Sequence, residues 1–313
     1  MSLDKYALAL AQVNPRLGDL AANREIIREQ IASARSAGAD LVVFPELSLT
    51  GYFLKDQVPA MALRADAKEL KWLREASRRI SIVIGIVEES ADSLFYNSAL
   101  YFEGGELRHV HRKCYLPTYG LFDEQRYFAR GRALRAFDTR FGRLAMLICE
   151  DMWHPSTVYV NAADRALSII CVSSSPIWGM SKQALPENAI YWEKLTRFHA
   201  ETWGVFVAYC NRVGFEDGAG FWGGSELIDP FGNPVCKAPY YEPAIAIGEV
   251  QMRRVRRKRI SSTMMRDEDL DLTINELIRV RAGSESAAIA GVRAERDAFA
   301  APAPIKRSRK GRS

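Results

Sequence analysis

The chain has 313 residues, 48% of them hydrophobic and 26% charged, a balance that excludes collagen-like, coiled-coil and wholly disordered classes. No apolar run approaches the roughly 20 residues of a membrane-spanning helix, and the N-terminal MSLDKYALALAQVNPRLGD has no long apolar stretch, so neither a span nor a secretory signal is expected. The net charge of +5 is concentrated locally: residues 253–259 are basic except for Val255, and the tail from Pro304 is rich in Lys and Arg. The first run reads as a solvated face and the second as a disordered tail, and since no nucleic-acid-binding module accompanies them, nucleic acid is not an expected partner.

Taken in order, the first 90 residues alternate between strand and helix patterns. Tyr6 to Val13 predicts a strand by its apolar alternation. Asn23 to Ala37 predicts a helix with a narrow stripe of Ile26, Ile27 and Ile31. Leu41 to Phe44 is a short apolar run ending at Pro45, as a buried strand would be. Asp66 to Arg79 predicts a helix and Ile80 to Val87 a buried strand. Further strands are expected at Ser98–Phe102, Leu144–Ile148, Leu167–Val172, Val205–Tyr209, Glu226–Ile228 and Ala244–Val250, with helices at Asn188–Trp203 and Leu270–Arg281. Such alternation argues α/β layering. No linker divides residues 1–282, which are expected to form one domain, and 283–313 read as an Ala-, Ser- and Arg-rich tail with too few apolar residues for a core.

Five cysteines at 114, 149, 171, 210 and 236 form no CxxC pair. They fit neither a zinc ribbon nor a disulfide framework, and free thiols without an export signal point to the cytoplasm. Three polar residues stand where α/β proteins build sites, directly after apolar strands. Glu46 follows LVVF through Pro45, Lys113 follows a strand-like stretch in HRKCYLP, and Cys149 follows LAMLI. Singly, each has a structural reading: a turn cap, a surface cation, a small buried hydrophobe. Together they make a chemical set. A thiol needs a base, which a carboxylate can supply, and an anionic tetrahedral intermediate needs a cation. The four histidines form no HExxH, no GxSxG elbow occurs, and the glycines follow no phosphate-binding pattern.

FPELSLTGY (44–52), RKCYLPTYGLFDEQRYFARG (112–131) and LICEDMWHP (147–155) resemble, in order, the three signature blocks of the nitrilase (carbon–nitrogen hydrolase) superfamily. SSSPIWG (173–179) and CNRVGFEDGAGFWGGSELIDPFGN (210–233) also resemble it, so the likeness covers about residues 5–260. The wording is most similar to the glutaminase domain of glutamine-dependent NAD synthetases. The chain shows no SGGxDS motif, however, and so is expected not to be a whole synthetase, and FLKDQV after Tyr52 departs from the synthetase version.

The resemblance implies a four-layer α-β-β-α sandwich, assembled as a homodimer or larger homo-oligomer. It places the catalytic base on Glu46, the lysine on Lys113, the nucleophile on Cys149 and a supporting glutamate on Glu124. Tyr52, Tyr119, Glu150, Trp153 and Ser175 fall on its substrate pocket, with the backbone N–H of Glu150 beside the oxyanion. The implied reaction is hydrolysis of a non-peptide C–N bond, a carboxamide above all, with no metal or organic cofactor. Nitrilase and N-carbamoyl amide hydrolase activity remain open, as does a regulatory or ammonia-supplying subunit of a separate synthetase.

Overall fold

A computed structural model of the chain describes residues 4–179 and 185–283. In chain order the strands are β1 (Lys5–Gln12), β2 (Leu41–Val43), β3 (Ser81–Glu89), β4 (Phe95–Glu103), β5 (Glu106–Arg112), β6 (Phe137–Thr139), β7 (Gly142–Ile148), β8 (Ser168–Ser173), β9 (Phe206–Asn211), β10 (Val213–Glu216), β11 (Ala219–Trp222), β12 (Glu226–Ile228), β13 (Pro234–Lys237) and β14 (Ala244–Gln251). They build two six-stranded sheets, ordered β14-β1-β2-β3-β4-β5 and β13-β12-β9-β8-β7-β6, plus the β10-β11 hairpin. Each sheet is parallel at its centre, β1-β2-β3 in one and β7-β8-β9 in the other, with antiparallel strands outside.

The strand alternation explains the layering. Leu8, Leu10, Leu41, Val43 and Val83 point one way and join Leu144, Met146, Ile148, Ile170 and Ala208 of the second sheet in a core between the sheets. Their neighbours Ala9, Ala11, Val42, Ile82 and Ile84 point the other way, onto Ile27, Ile31 and Ala34 of the helix Leu20–Ser36 and Leu73 of the helix Lys71–Ser77. The second sheet is covered in turn by Val158 of the helix Pro155–Ala163 and by Ala189, Trp192 and Ala200 of the helix Glu187–Trp203. Both faces of each sheet are thus buried, which is why the central strands read as unbroken apolar runs. The result is the four-layer α-β-β-α arrangement the motifs imply.

Three stretches depart from the sequence reading. The helix expected over 66–79 is a 3₁₀ turn, Lys68–Leu70, followed by an α-helix only at Lys71–Ser77. Pro155 opens a helix, Pro155–Ala163, where its missing N–H costs nothing. The basic run is a helix, Met252–Ser261, that buries only Val255 but is not wholly solvated: Arg254 pairs with Asp229 and Arg259 donates to the Ala166 carbonyl at 2.8 Å. Contacts divide the chain into Met1–Met265 and Arg266–Ser313. Within the second unit residues 270–283 are helical, so of the tail expected over 283–313 only Gly283 is described, and the rest lies outside the described residues. No helix among the described residues is long and apolar enough to cross a membrane.

Gly85, in the middle of β3, shows how tightly the fold holds the loop after β2. A Cβ there would lie 2.3 Å from the Leu47 nitrogen and 2.6 Å from the Pro45 carbonyl oxygen, on either side of Glu46. Gly85→Ala must push this turn away. A stability loss of about 1–3 kcal/mol is expected from the overpacking, together with a fall in turnover, read by thermal unfolding and kinetics on the same preparation.

Candidate active site

Cys149 sits where β7 passes into the 3₁₀ turn Cys149–Trp153. Its φ of +45° is in the left-handed region, costly for a side chain with a Cβ and found at tightly held functional turns. The thiol is buried, with Ser173 Oγ donating to its sulfur at 3.4 Å. Burial first, then the charge of Glu46, pushes the thiol well above its ordinary value, against the pull of Lys113 and Ser173. The other cysteines are also raised, chiefly by burial, Cys114 to about 12 and Cys236 to about 11. No lowered thiol pKa therefore sets Cys149 apart from the other cysteines; what distinguishes it is its neighbours.

Glu46 is 1% exposed and held from three directions. Its Oε1 accepts from Asn97 Nδ2 and Lys113 Nζ, both at 2.7 Å, and its Oε2 accepts the Ser174 backbone N–H at 2.7 Å. A carboxylate offers about four lone-pair sites, so one remains for a thiol proton. Lys113 follows β5, pinned on both sides: its N–H donates to Asn97 O at 2.9 Å, and its carbonyl accepts from Gly131 at 2.7 Å. Gly131 permits this approach, since a Cβ there would come within 2.0 Å of Arg112 O. Lys113 Nζ also donates to Glu124 Oε1 at 2.6 Å. Burial would lower the ammonium's pKa, but the charges of Glu124, Glu46 and Cys149 outweigh it and hold the pKa well above the ordinary value. Two of its three donors are used and one is left for a developing oxyanion.

Glu124 opens the short helix Glu124–Tyr127, and Tyr52 Oη donates to its Oε1 at 2.5 Å. Its Oε2 is buried and takes no hydrogen bond from the described residues. Burial, opposed by Lys113 and reinforced by Glu46, raises Glu124 to about 7. Glu124 and Tyr52 also line a small cavity of about 100 Å³, shared with Phe53, Asp123 and Phe128. The loop bearing Tyr52 hangs on a buried ion pair. Glu216 Oε1 accepts the backbone N–H groups of Tyr52 and Phe53 at 2.7 Å, while Arg212 donates to Glu216 Oε2 at 2.5 Å.

Of the remaining sequence-predicted residues, Tyr119 is 46% exposed and donates to Glu150 Oε2 at 2.8 Å, next to Cys149. Trp153 is partly buried and stacks on Tyr191, with ring centroids 4.4 Å apart. Ser175 is 5% exposed, and its hydroxyl accepts from Asn188 Nδ2 and Trp192 Nε1, each at 3.1 Å. The histidines have structural settings: His109 stacks on Phe137, His154 on Tyr115, and His199 receives Trp203 Nε1. His111, Cys114 and Asp151 bring potential metal-binding atoms within 4.8 Å of one another, yet both Asp151 oxygens are already filled by hydrogen bonds. Asn97, Ser173, Ser174, Arg212 and Glu216 were not anticipated. The signal for Asn97 was a lone amide inside FYNSALYF, a polar residue in a strand that buries everything around it.

The family model for carbon–nitrogen hydrolase matches residues 7–260. The glutamine-dependent NAD(+) synthetase of Thermotoga maritima is 32% identical over 248 residues, 78% of this chain and 42% of that protein. The chloroplastic omega-amidase of Arabidopsis thaliana is 30% identical over 285 residues, 86% of this chain and 74% of that protein. The solved structure of glutamine-dependent NAD+ synthetase from Acinetobacter baumannii aligns with a TM-score of 0.71 at 29% identity, covering 80% of this chain and 46% of that one. The chain spans about half the length of the synthetases it matches.

The raised pKa of Glu124 has a sign. Folded, the carboxyl keeps its proton up to about 7; its ordinary value is 4.5. The folded state thus binds more protons between these values, and stability from this group, full below 4.5, is lost as pH rises to about 7. The difference in melting temperature between the wild type and Glu124→Gln should fall across that window and level off above it. A pH-independent difference would contradict the raised value.

Proposed function

The chain belongs to the carbon–nitrogen hydrolase family, and from that premise we propose that it hydrolyses a carboxamide to acid and ammonia through a thioester on Cys149. The observation that carries this reading is the Lys113 ammonium bonded to both Glu46 and Glu124, beside a thiol that needs a base. As Cys149 Sγ attacks the amide carbon, its proton passes to Glu46. The oxyanion forms against the remaining Lys113 N–H and the backbone N–H of Glu150. When the C–N bond breaks, Glu46 returns that proton to the nitrogen and ammonia leaves. Water then attacks the thioester, Glu46 accepts its proton with Glu124 in support, and the departing sulfur recovers a proton as the acid is released.

Glu150 favours an acyl group that carries a cation. Its carboxylate is one residue from the nucleophile, its side chain is only 16% exposed, and Tyr119 orients it. An ω-amide of an amino acid, glutamine among them, presents such a charge. A second reading, an unsubstituted aliphatic amide, draws on the aromatic surface of Tyr52, Phe53, Phe122 and Phe221.

Ammonia release from glutamine, hexanamide, a carbamoyl compound and a nitrile tests these readings. With a cation-pairing Glu150, glutamine should exceed hexanamide in kcat/KM, and Glu150→Gln should lower glutamine turnover at least ~10-fold while sparing hexanamide. A glutamine value tenfold below hexanamide would establish the aliphatic reading instead. Ammonia from none of the four would argue for a binding subunit. With whichever amide is turned over, Glu46→Gln and Lys113→Met should each cost at least ~10²-fold in kcat.

A further inference from the structure

Lys113 and Cys149 come from different sheets, one after β5 and the other after β7. Their side chains must meet at the same carbonyl group, so something has to fix the distance between the two strand ends. A single buried carboxylate spans the gap. Asp151, two residues beyond the nucleophile, is 0% exposed and accepts four hydrogen bonds. On one side its Oδ1 takes the backbone N–H groups of Cys114 and Tyr115, at 2.9 and 3.0 Å, just past Lys113. On the other its Oδ2 takes the N–H of Ile148 at 3.0 Å, just before Cys149. His111 Nε2, two residues before Lys113, completes the set at 2.8 Å from Oδ2.

We infer that Asp151 is a positioning residue that sets the nucleophile turn and the lysine segment at their working separation, with His111 as its partner. Every lone-pair site of the carboxylate is used, so it has none to offer a substrate. Its effect on the chemistry is through the geometry of Cys149 and Lys113, and the inference rests on the roles given to them above. The same bonds explain the tolerated φ of Cys149: the Ile148 to Asp151 bond closes the turn from the carboxylate side, as a residue at the third position of a helical turn does for the N–H ahead of it. A misplacement near 1 Å in such a site costs on the order of 10²-fold in rate.

Asp151→Asn tests this in the full chain. The amide keeps one acceptor oxygen but turns a donor toward one of the two segments, so half of the clamp must break whichever way it lies. The expected result is a folded enzyme with kcat lower by about 10²-fold and KM within about threefold, since nothing that binds substrate has changed. Amide hydrogen exchange should quicken at Ile148 or at Cys114 and Tyr115, a readout that does not depend on the substrate being correctly assigned. If Asp151→Asn does not fold, His111→Phe and His111→Gln replace it: the first should lower kcat, and the second, which restores an N–H donor, should recover part of the loss. Folded Asp151→Asn with wild-type kcat and unchanged exchange would overturn the inference, as would a KM rise that accounts for the whole loss, or equal kcat values in the two His111 variants. A wild-type enzyme releasing no ammonia, with exchange still altered in Asp151→Asn, would leave the clamp standing and remove the proposed reaction instead.

Discussion

The structure is organised around one buried ammonium. Lys113 is 1% exposed and lies between Glu46 and Glu124, so three ionisable groups share one buried space. Removing such charges from water costs several kcal/mol per ion unless each is paired and hydrogen-bonded. The surrounding groups meet that requirement: Asn97 and the Ser174 N–H on Glu46, and Tyr52 Oη on Glu124. One carboxyl of the pair is driven up to about 7, which lets the site hold two acids around one cation. Removing Lys113 would leave two carboxyls facing each other, so the ammonium holds the site together whatever chemistry it supports.

That constraint accounts for the architecture around it. Donors for three buried groups must come from fixed backbone and short side chains, and strand ends supply both. Glu46 follows β2, Asn97 lies in β4, Lys113 follows β5, Cys149 follows β7 and Ser174 follows β8. The sheets face each other across a common core, and the loops beyond their strands converge. Where a loop has no sheet to hold it, a buried ion does so instead: Arg212–Glu216 under Tyr52, and Asp151 between Lys113 and Cys149.

The proposed catalytic set was legible because each member interrupts a pattern. A glutamate after LVVF, a lysine after a strand and a cysteine after LAMLI are polar residues where the apolar run should simply turn, and the signature blocks then assign them roles. The supporting residues were hidden because their partners are remote in the chain. Ser174 reaches Glu46 across 128 positions and Glu216 reaches Tyr52 across 164, and nothing local announces either bond. The strands were legible where both faces are buried, as in ISIVIGIV. The helix Pro155–Ala163 was hidden because its PSTVYVNAA carries no clear apolar stripe, although Pro155 suits a first helical turn. The β10-β11 hairpin was hidden by its glycines, and residues 66–79 look uniformly helical although the chain turns through a 3₁₀ segment first.

The most direct measurement is the mass of the enzyme caught in turnover. With a slowly hydrolysed amide and a rapid acid quench, a fraction of the protein should gain the mass of the acyl group, the amide less ammonia. Peptide mapping should place it on Cys149 and leave Cys114, Cys171, Cys210 and Cys236 unmodified. Steady ammonia release with no adduct at any quench time, or an adduct on another cysteine, would contradict the thioester and the role of the buried Glu46–Lys113–Glu124 group in forming it.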